Sequence, residues 1–258
     1  MDRMAYFYDE LAPLYHLIFK DWNSSVERQG EQLSAIIHNE WPESHTVLDV
    51  SCGIGTQAIG LSKNGFRVTG SDLSGRAIER AILEANQRGQ VIAFSVCDMR
   101  TAHTHHGSGF DIVISCDNSL PHLLTDEDIL TALKEMFGCL RPGGGCLISV
   151  RDYEREERGK KLVKPYGVRE QGDKRYFVFQ VWDFEGERCD VTVYFVEEHL
   201  ASREIRTNAM HSRYYAIGIT KLLAMMEEAG FRNVGRFDQG LYQPVLVGTK
   251  PCGLPTSD

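Results

Sequence analysis

Between residues 46 and 153 apolar runs alternate with amphipathic stretches, and this alternation limits the chain more than any other feature. TVLDVSC (46–52) is an apolar run that ends in a glycine-rich turn, and TQAIGLSKNG (56–65) reads as a helix closed by Gly65. FRVTGSD (66–72) reads as a strand, and SGRAIERAILEANQRG (74–89) as a helix capped by Ser74 and closed by Gly89. VIAFSVCD (91–98) and FDIVISCDN (110–118) are further strands. DEDILTALKEMFGCLRPGG (126–144) reads as a helix ending in a Pro-Gly turn, followed by the strand GCLISVRDY (145–153). Such a β–α repeat predicts an α/β fold, with a mostly parallel sheet and helices on both faces.

The period changes after residue 152. YFVFQVWDF (176–184) and CDVTVYFVEEHL (189–200) alternate apolar and polar residues around the turn EGER, which predicts an antiparallel hairpin. With EIRTNAMHSRYYA (204–216) nearby, an inserted antiparallel β cap is expected over residues 152–211. Residues 1–45 are expected to form a helical segment or lid, 46–151 the core, and 212–258 its completion by a last helix and β-hairpin. The final strand is expected to run antiparallel.

A length of 258 residues fits one α/β domain with an elaboration. A net charge of −8 argues against nucleic acid or an anionic membrane as partner and leaves a small molecule. The mixed charges of residues 154–164 read as a solvated loop. Seven cysteines without a C-x-x-C pair, an N-terminus without an apolar leader core, and no apolar run of spanning length predict reduced thiols in a cytoplasmic protein. The oligomeric state is left open.

The segment DVSCGIGT (49–56) carries the first chemistry. Gly53 and Gly55 allow a tight turn and close approach of backbone to a ligand. Together with Ala58 they also fit the G-x-G-x-x-G/A pattern of dinucleotide sites, and Asp72, 17 positions after Gly55, suits a ribose in either case. Asp49, before the glycines, would repel a pyrophosphate but suits the ammonium and sulfonium of S-adenosylmethionine. Asp98 can accept from an adenine amino group, and Met99 can pack on the base. The chain closes with a helix and strands rather than a second substrate domain. These features favour S-adenosylmethionine over NAD as cofactor, with S-adenosylhomocysteine as the product.

With VLDVSCGIGT, FDIVISCDNSLPHL, VRDYE and SRYYAIGITKLLAMMEEAGF in view, the chain resembles the Rossmann-like class I methyltransferases. Within them it looks most similar to the glycine and glycine/sarcosine N-methyltransferases. The resemblance implies cofactor contacts at Asp49, Gly53, Asp72, Asp98, Met99, Cys116 and His122, to which Gly55 and Leu73 are added as neighbours. It implies substrate-side roles for Asn118 and Arg151. Asp152 stands where that group has Asn, Asp117 replaces a glycine, and residues 154–200 match poorly.

On physical grounds, Asn118 can offer a carbonyl oxygen to an amine or merely cap a turn. Arg151 can grip a carboxylate with both arms or pair with Asp152 or a neighbouring Glu. Tyr214 and Tyr215 can place one hydroxyl near the reacting atoms or serve the core alone, and Tyr215 is taken as the catalytic one. His122 is either a cofactor contact or a hydrogen-bonded helix-start residue. The cluster His103, His105 and His106 has no cysteine or carboxylate array beside it in sequence, so no metal is expected. Methyl transfer from a sulfonium needs alignment and exclusion of water more than acid–base groups. For acceptors that must lose a proton, Asp117 or His122 is the candidate base. The expected reaction is methylation of a nitrogen on a small amine or amino acid. Alternatives are an O- or heterocycle N-methyltransferase, an NAD-dependent oxidoreductase, or a non-catalytic cofactor-binding protein.

Overall fold

The computed structural model describes residues 3–238 and 240–252. The core strands are β1 (Thr46–Asp49), β2 (Arg67–Asp72), β3 (Ala93–Val96), β4 (Phe110–Ser115), β5 (Leu140–Ser149), β10 (Arg232–Phe237) and β11 (Val245–Thr249), with β6 to β9 set apart as described below. They form one sheet in the order β10-β11-β5-β4-β1-β2-β3, in which β11 alone runs against its neighbours. The helices are α1 (Arg3–Leu11), α2 (Trp22–Glu40), α3 (Thr56–Lys63), α4 (Gly75–Gln87), α5 (Ala102–His106), α6 (Asp126–Cys139) and α7 (Ile219–Glu228). Alternate residues of the central strands feed two cores. Leu48, Val113 and Ile148 face α6 and α7, whereas Val47, Ile112 and Leu147 face α2 and α3.

Local chemistry sets the helix starts. Ser74 accepts from Ala77 N–H at 3.0 Å at the head of α4, and Asp21 caps α2 through Ser24 N–H at 3.1 Å. α2 and α3 cross at Gly30 and Gly60. A Cβ on Gly30 would lie 2.5 Å from the Gly60 backbone, so only paired glycines permit this crossing. The Pro-Gly turn expected after α6 is instead part of β5, which starts at Leu140. Gly143 N–H donates to Lys250 O at 2.8 Å and Lys250 N–H to Gly144 O at 2.8 Å, which draws the segment into the sheet.

β6 (Leu162–Gln171), β7 (Lys174–Glu185), β8 (Arg188–His199) and β9 (Ile205–Tyr215) form a separate antiparallel sheet. The β7–β8 hairpin pairs Glu185 with Arg188 across the expected turn. The sheet occupies 162–215 rather than 152–211, because pairing of β6 with β7 begins at Leu162↔Trp182 and β9 stays paired with β8 as far as Arg188↔Tyr215. Its inner face, with Tyr176, Val178, Trp182, Val191 and Phe195, packs against Phe7, Leu11 and Leu17 of the N-terminal segment. Among the described residues no helix is long and apolar enough to cross a membrane.

Candidate active site

The strand order reverses between β1 and β4, and ligands of open α/β sheets bind outside the carboxyl ends of strands at such a point. Two cavities lie there. The first, about 320 Å³, is lined by Gly53, Asp72, Leu73, Asp98, Met99 and His122. The second, about 570 Å³, lies between the sheet, the N-terminal segment and the cap, and is lined by Asp117, Asn118, Arg151, Tyr166, Trp182 and Tyr214. Tyr8 and Tyr15 border both cavities.

In the first cavity the carboxylate of Asp72 organises the glycine turn. It accepts from Gly53 N–H and from Ser74 N–H, each at 2.9 Å. Gly53 has φ +52°, and a Cβ there would lie 3.1 Å from the Tyr15 ring, so glycine suits this position on both counts. Asp49 stands one layer behind. Its Oδ1 accepts from Ser51 N–H at 3.2 Å, and its buried Oδ2 has no hydrogen-bond partner among the described residues. Burial, with Asp72 adding to it, raises the Asp49 carboxyl to about 7 against the pull of the Ser51 N–H. Burial also raises Asp72. Asp72 lines the cavity and Asp49 lies buried behind it, and among the described residues neither carboxylate hydrogen-bonds a basic side chain, which suits a sulfonium and an ammonium and disfavours a pyrophosphate.

A methyltransferase-domain family matches residues 47–144, the stretch that carries both carboxylates and the glycine turn. The glycine/sarcosine N-methyltransferase of Parasynechococcus marenigrum (strain WH8102) is 28% identical over 226 residues, covering 86% of this chain and 74% of that protein. The glycine N-methyltransferase of Rattus norvegicus is 31% identical, covering 56% of this chain but only 53% of its own length. The chain is an S-adenosylmethionine-dependent methyltransferase, similar to those of class I. Its fold is shared with DesVI of Streptomyces venezuelae, at 21% identity and a TM-score of 0.79 over 94% of this chain and 98% of that one. It is shared also with CalS10, an amino pentose methyltransferase from Micromonospora echinaspora, at 19% identity and a TM-score of 0.75 over 88% and 92%. S-adenosylmethionine is therefore the methyl donor, and the reaction is methylation of a small molecule.

The methyltransferase places most of the expected residues at these cavities, with several changes of role. Asp98 does line the first cavity, but Arg100 occupies it. The guanidinium contacts both carboxylate oxygens, the shortest at 2.6 Å, and also reaches Asp128 at 3.0 Å. Burial pushes Asp98 up, yet the hydrogen bonds from Arg100 overcome it and hold the carboxylate below its usual range. His122 is held on both ring nitrogens, by Tyr8 Oη at 2.6 Å and Ser212 Oγ at 3.4 Å. Burial lowers it to about 3, so it is neutral at physiological pH. Gly55, at φ +92°, shapes the turn from behind, and the thiol of Cys116 is buried and pushed up by that burial; neither lines a cavity.

In the second cavity Asn118 is a clamp. Its Oδ1 accepts from Arg151 N–H at 2.9 Å and its Nδ2 donates to Tyr153 Oη at 2.8 Å, which ties the end of β4 to the end of β5. Its carbonyl oxygen is thus already engaged. Asp117 and Asn118 both take left-handed backbone, at φ 61° and 64°, and this turns the Asp117 side chain into the cavity. Burial raises Asp117 to about 6, against Arg151 and the Tyr15 hydroxyl, which stands 3.5 Å from Oδ2. Arg151 donates to Glu156 at 2.9 Å and stacks 4.6 Å from the Trp182 ring centre, while its buried Nε has no hydrogen-bond partner among the described residues. Asp152 pairs with Arg236 at 2.8 Å instead.

Tyr215 faces away from both cavities. Its hydroxyl donates to Asp126 at 2.8 Å and accepts from Lys221 at 2.8 Å. Strand alternation puts Tyr214 inward in its place, 4.3 Å from the His122 ring. Tyr8, Tyr15, Tyr166 and Trp182 were not foreseen as site residues. The aromatic density of residues 6–22 is the signal for the first two. The inward face of the cap hairpin is legible for Trp182, but nothing local says that this face meets the core.

Proposed function

We propose that the acceptor atom is an amine nitrogen, that Asp117 receives its proton, and that the acceptor is an aromatic-packed molecule larger than a free amino acid. The observation that carries this reading is the buried Asp117 carboxyl, raised to about 6, in a 570 Å³ cavity walled by Tyr15, Tyr166, Trp182 and Tyr214. An amine arrives in water as an ammonium and cannot attack until it loses a proton. A carboxylate with a pKa just below neutrality both attracts that cation and accepts the proton. The nitrogen–methyl bond then forms as the methyl–sulfur bond breaks, and the proton on Asp117 passes to solvent. A relative described as acting on glycine and sarcosine and a fold neighbour described as an amino pentose methyltransferase both support an amine. The cavity size favours the bulkier kind of acceptor.

S-adenosylmethionine, when bound, supplies an activated methyl on a cationic sulfur. On this reading Asp72 accepts from its ribose, Asp49 offsets its positive charge, and Leu73 and Met99 pack its adenine, since Asp98 is largely held by Arg100. Tyr8 and Tyr15 close the boundary between the cavities and exclude water. Cofactor affinity should then depend on pH. Below about 7 Asp49 is protonated and neutral, and above it the carboxylate attracts the cation. The dissociation constant should therefore fall between pH 6 and 7, by up to about tenfold, and level off towards pH 8. A calorimetric series that is flat across this range would remove Asp49 as the charge partner.

Arg151 is proposed as a wall and steering group of the acceptor cavity. Glu156 already takes one arm and is itself held by Lys164 at 2.9 Å, so an acceptor carboxylate is not required. Arg151→Lys keeps the charge but loses the planar stack on Trp182. It should lower kcat/KM for the acceptor about tenfold, given roughly 1–2 kcal/mol for a desolvated cation–π contact. Cofactor affinity should stay unchanged, and equal turnover by wild type and variant would count against the role. The test of the whole reading is a methyl-transfer screen with labelled cofactor against amino acids, amino sugars, other small amines, heterocycles and alcohols. Label should appear on an amine; label confined to oxygen would overturn it.

A further inference from the structure

We propose that Cys97, His105 and His106 form a binding site for a zinc-class divalent metal ion. In sequence the histidines lack a cysteine, but the fold supplies one. Cys97 follows β3, and the His105 and His106 side chains of α5 reach back to β3 and β2. One ligating atom from each of the three residues lies within 4.8 Å of the other two. The arrangement is braced. Ser71 and Ser95 sit opposite each other in the β2–β3 pairing, and each hydroxyl stands 3.0 Å from Nε2 of one histidine, Ser71 with His106 and Ser95 with His105. The two imidazole rings meet edge to face at 4.6 Å. α5 itself is anchored by His103 N–H, which donates to Glu135 at 2.8 Å.

The donor set of one thiol and two imidazoles suits a borderline-soft ion such as Zn(II) better than a hard, oxygen-seeking ion such as Mg(II). Binding forms a metal–sulfur bond and two metal–nitrogen bonds, and the Cys97 thiol proton passes to solvent. His105 is exposed, so the ion enters from solvent, and water or an added ligand completes a fourth position. Cys97 also lines the cavity that holds Asp98 and Met99, so the ion would sit at the edge of the cofactor site without forming part of the methyl-transfer chemistry. This inference does not rest on the identity of the acceptor.

The test is titration of the full-length protein with Co(II), read as thiolate-to-cobalt charge-transfer absorption, followed by displacement with Zn(II). We expect one equivalent of ion, an absorption band that Zn(II) abolishes, and no response to Mg(II). Cys97→Ser should remove the band, while Cys252→Ser, a change at the exposed thiol, should leave it intact. His105→Ala and His106→Ala should each weaken binding about tenfold or more. Circular dichroism of each variant distinguishes loss of the site from loss of the fold. Should Cys97→Ser misfold, the two histidine variants alone decide the matter. Absence of the band in wild type, or a band that survives in both histidine variants, would overturn the proposal.

Discussion

Replacing Asp72 with Ala should weaken S-adenosylmethionine binding by about 1.5–3 kcal/mol, roughly 10- to 150-fold in dissociation constant. The size follows from two losses at one position. Asp72 is a buried carboxylate facing the cavity, so a hydroxyl donor of the cofactor would meet a full charge in a site shielded from water. It also receives Gly53 N–H and Ser74 N–H, so its removal loosens the glycine turn that shapes the cavity. Asp72→Asn separates the two effects. The amide keeps one acceptor oxygen and the side chain's size but not the charge, and it should lie between wild type and Ala. Calorimetry with thermal melting checks both variants. Unchanged affinity in folded Asp72→Ala would take this residue out of the cofactor site.

The larger effect is expected at Asp117. Asp117→Asn should lower kcat/KM for an amine acceptor by about 10²–10⁴, the range for loss of a positioned proton acceptor, while the cofactor dissociation constant stays within about twofold. The pH profile carries the sharper signature. Since burial raises Asp117 to about 6, the group is protonated below that pH and cannot receive a proton, and it is ionised and competent above. In wild type kcat/KM should rise through about pH 6; in Asp117→Asn that limb should vanish, with the residual rate set by the acceptor's own ionisation. An unaltered limb in the variant would assign it to another group. Tyr15→Phe is a useful companion, because the Tyr15 hydroxyl lies 3.5 Å from the Asp117 carboxylate, and its loss should move the limb to higher pH without abolishing it.

Much of the scaffold was legible in the sequence because its causes are local. Period-2 and period-3.6 patterns mark β1 to β5 and their helices, Ser74 announces the start of α4, and the EGER turn places the β7–β8 hairpin in register. The carboxylates at the strand ends, Asp49 and Asp72, were legible for the same reason, since a strand that runs into glycines and the strand after it must deliver their last residues to the same edge. The methyl-donor reading drew on Asp49, on Asp98 with Met99 and on the closing helix and strands, and S-adenosylmethionine stands as the donor.

Other features depend on contacts between segments far apart in the chain. The ends of the cap sheet differ from those expected because the β6–β7 pairing sets its start and the β8–β9 pairing its end, and such pairings are invisible to a window of ten residues. The same register turns Tyr214 inward and Tyr215 towards Asp126 and Lys221, an exchange that a shift of one residue would reverse. Asn118 reads either as an amide open to an amine or as a turn cap until Tyr153 and the Arg151 backbone are seen to hold both its ends. Asp98 reads as an open acceptor until Arg100 folds back on it. Residues 97 and 105 look unrelated until the chain after β3 turns back and brings a thiol to two imidazoles. Sequence alone determined which groups stand at the carboxyl edge of the sheet, because backbone periodicity dictates strand ends. Tertiary structure alone decided which of those groups are free to meet a ligand, because that depends on the hydrogen-bond partners and ring faces that distant segments supply.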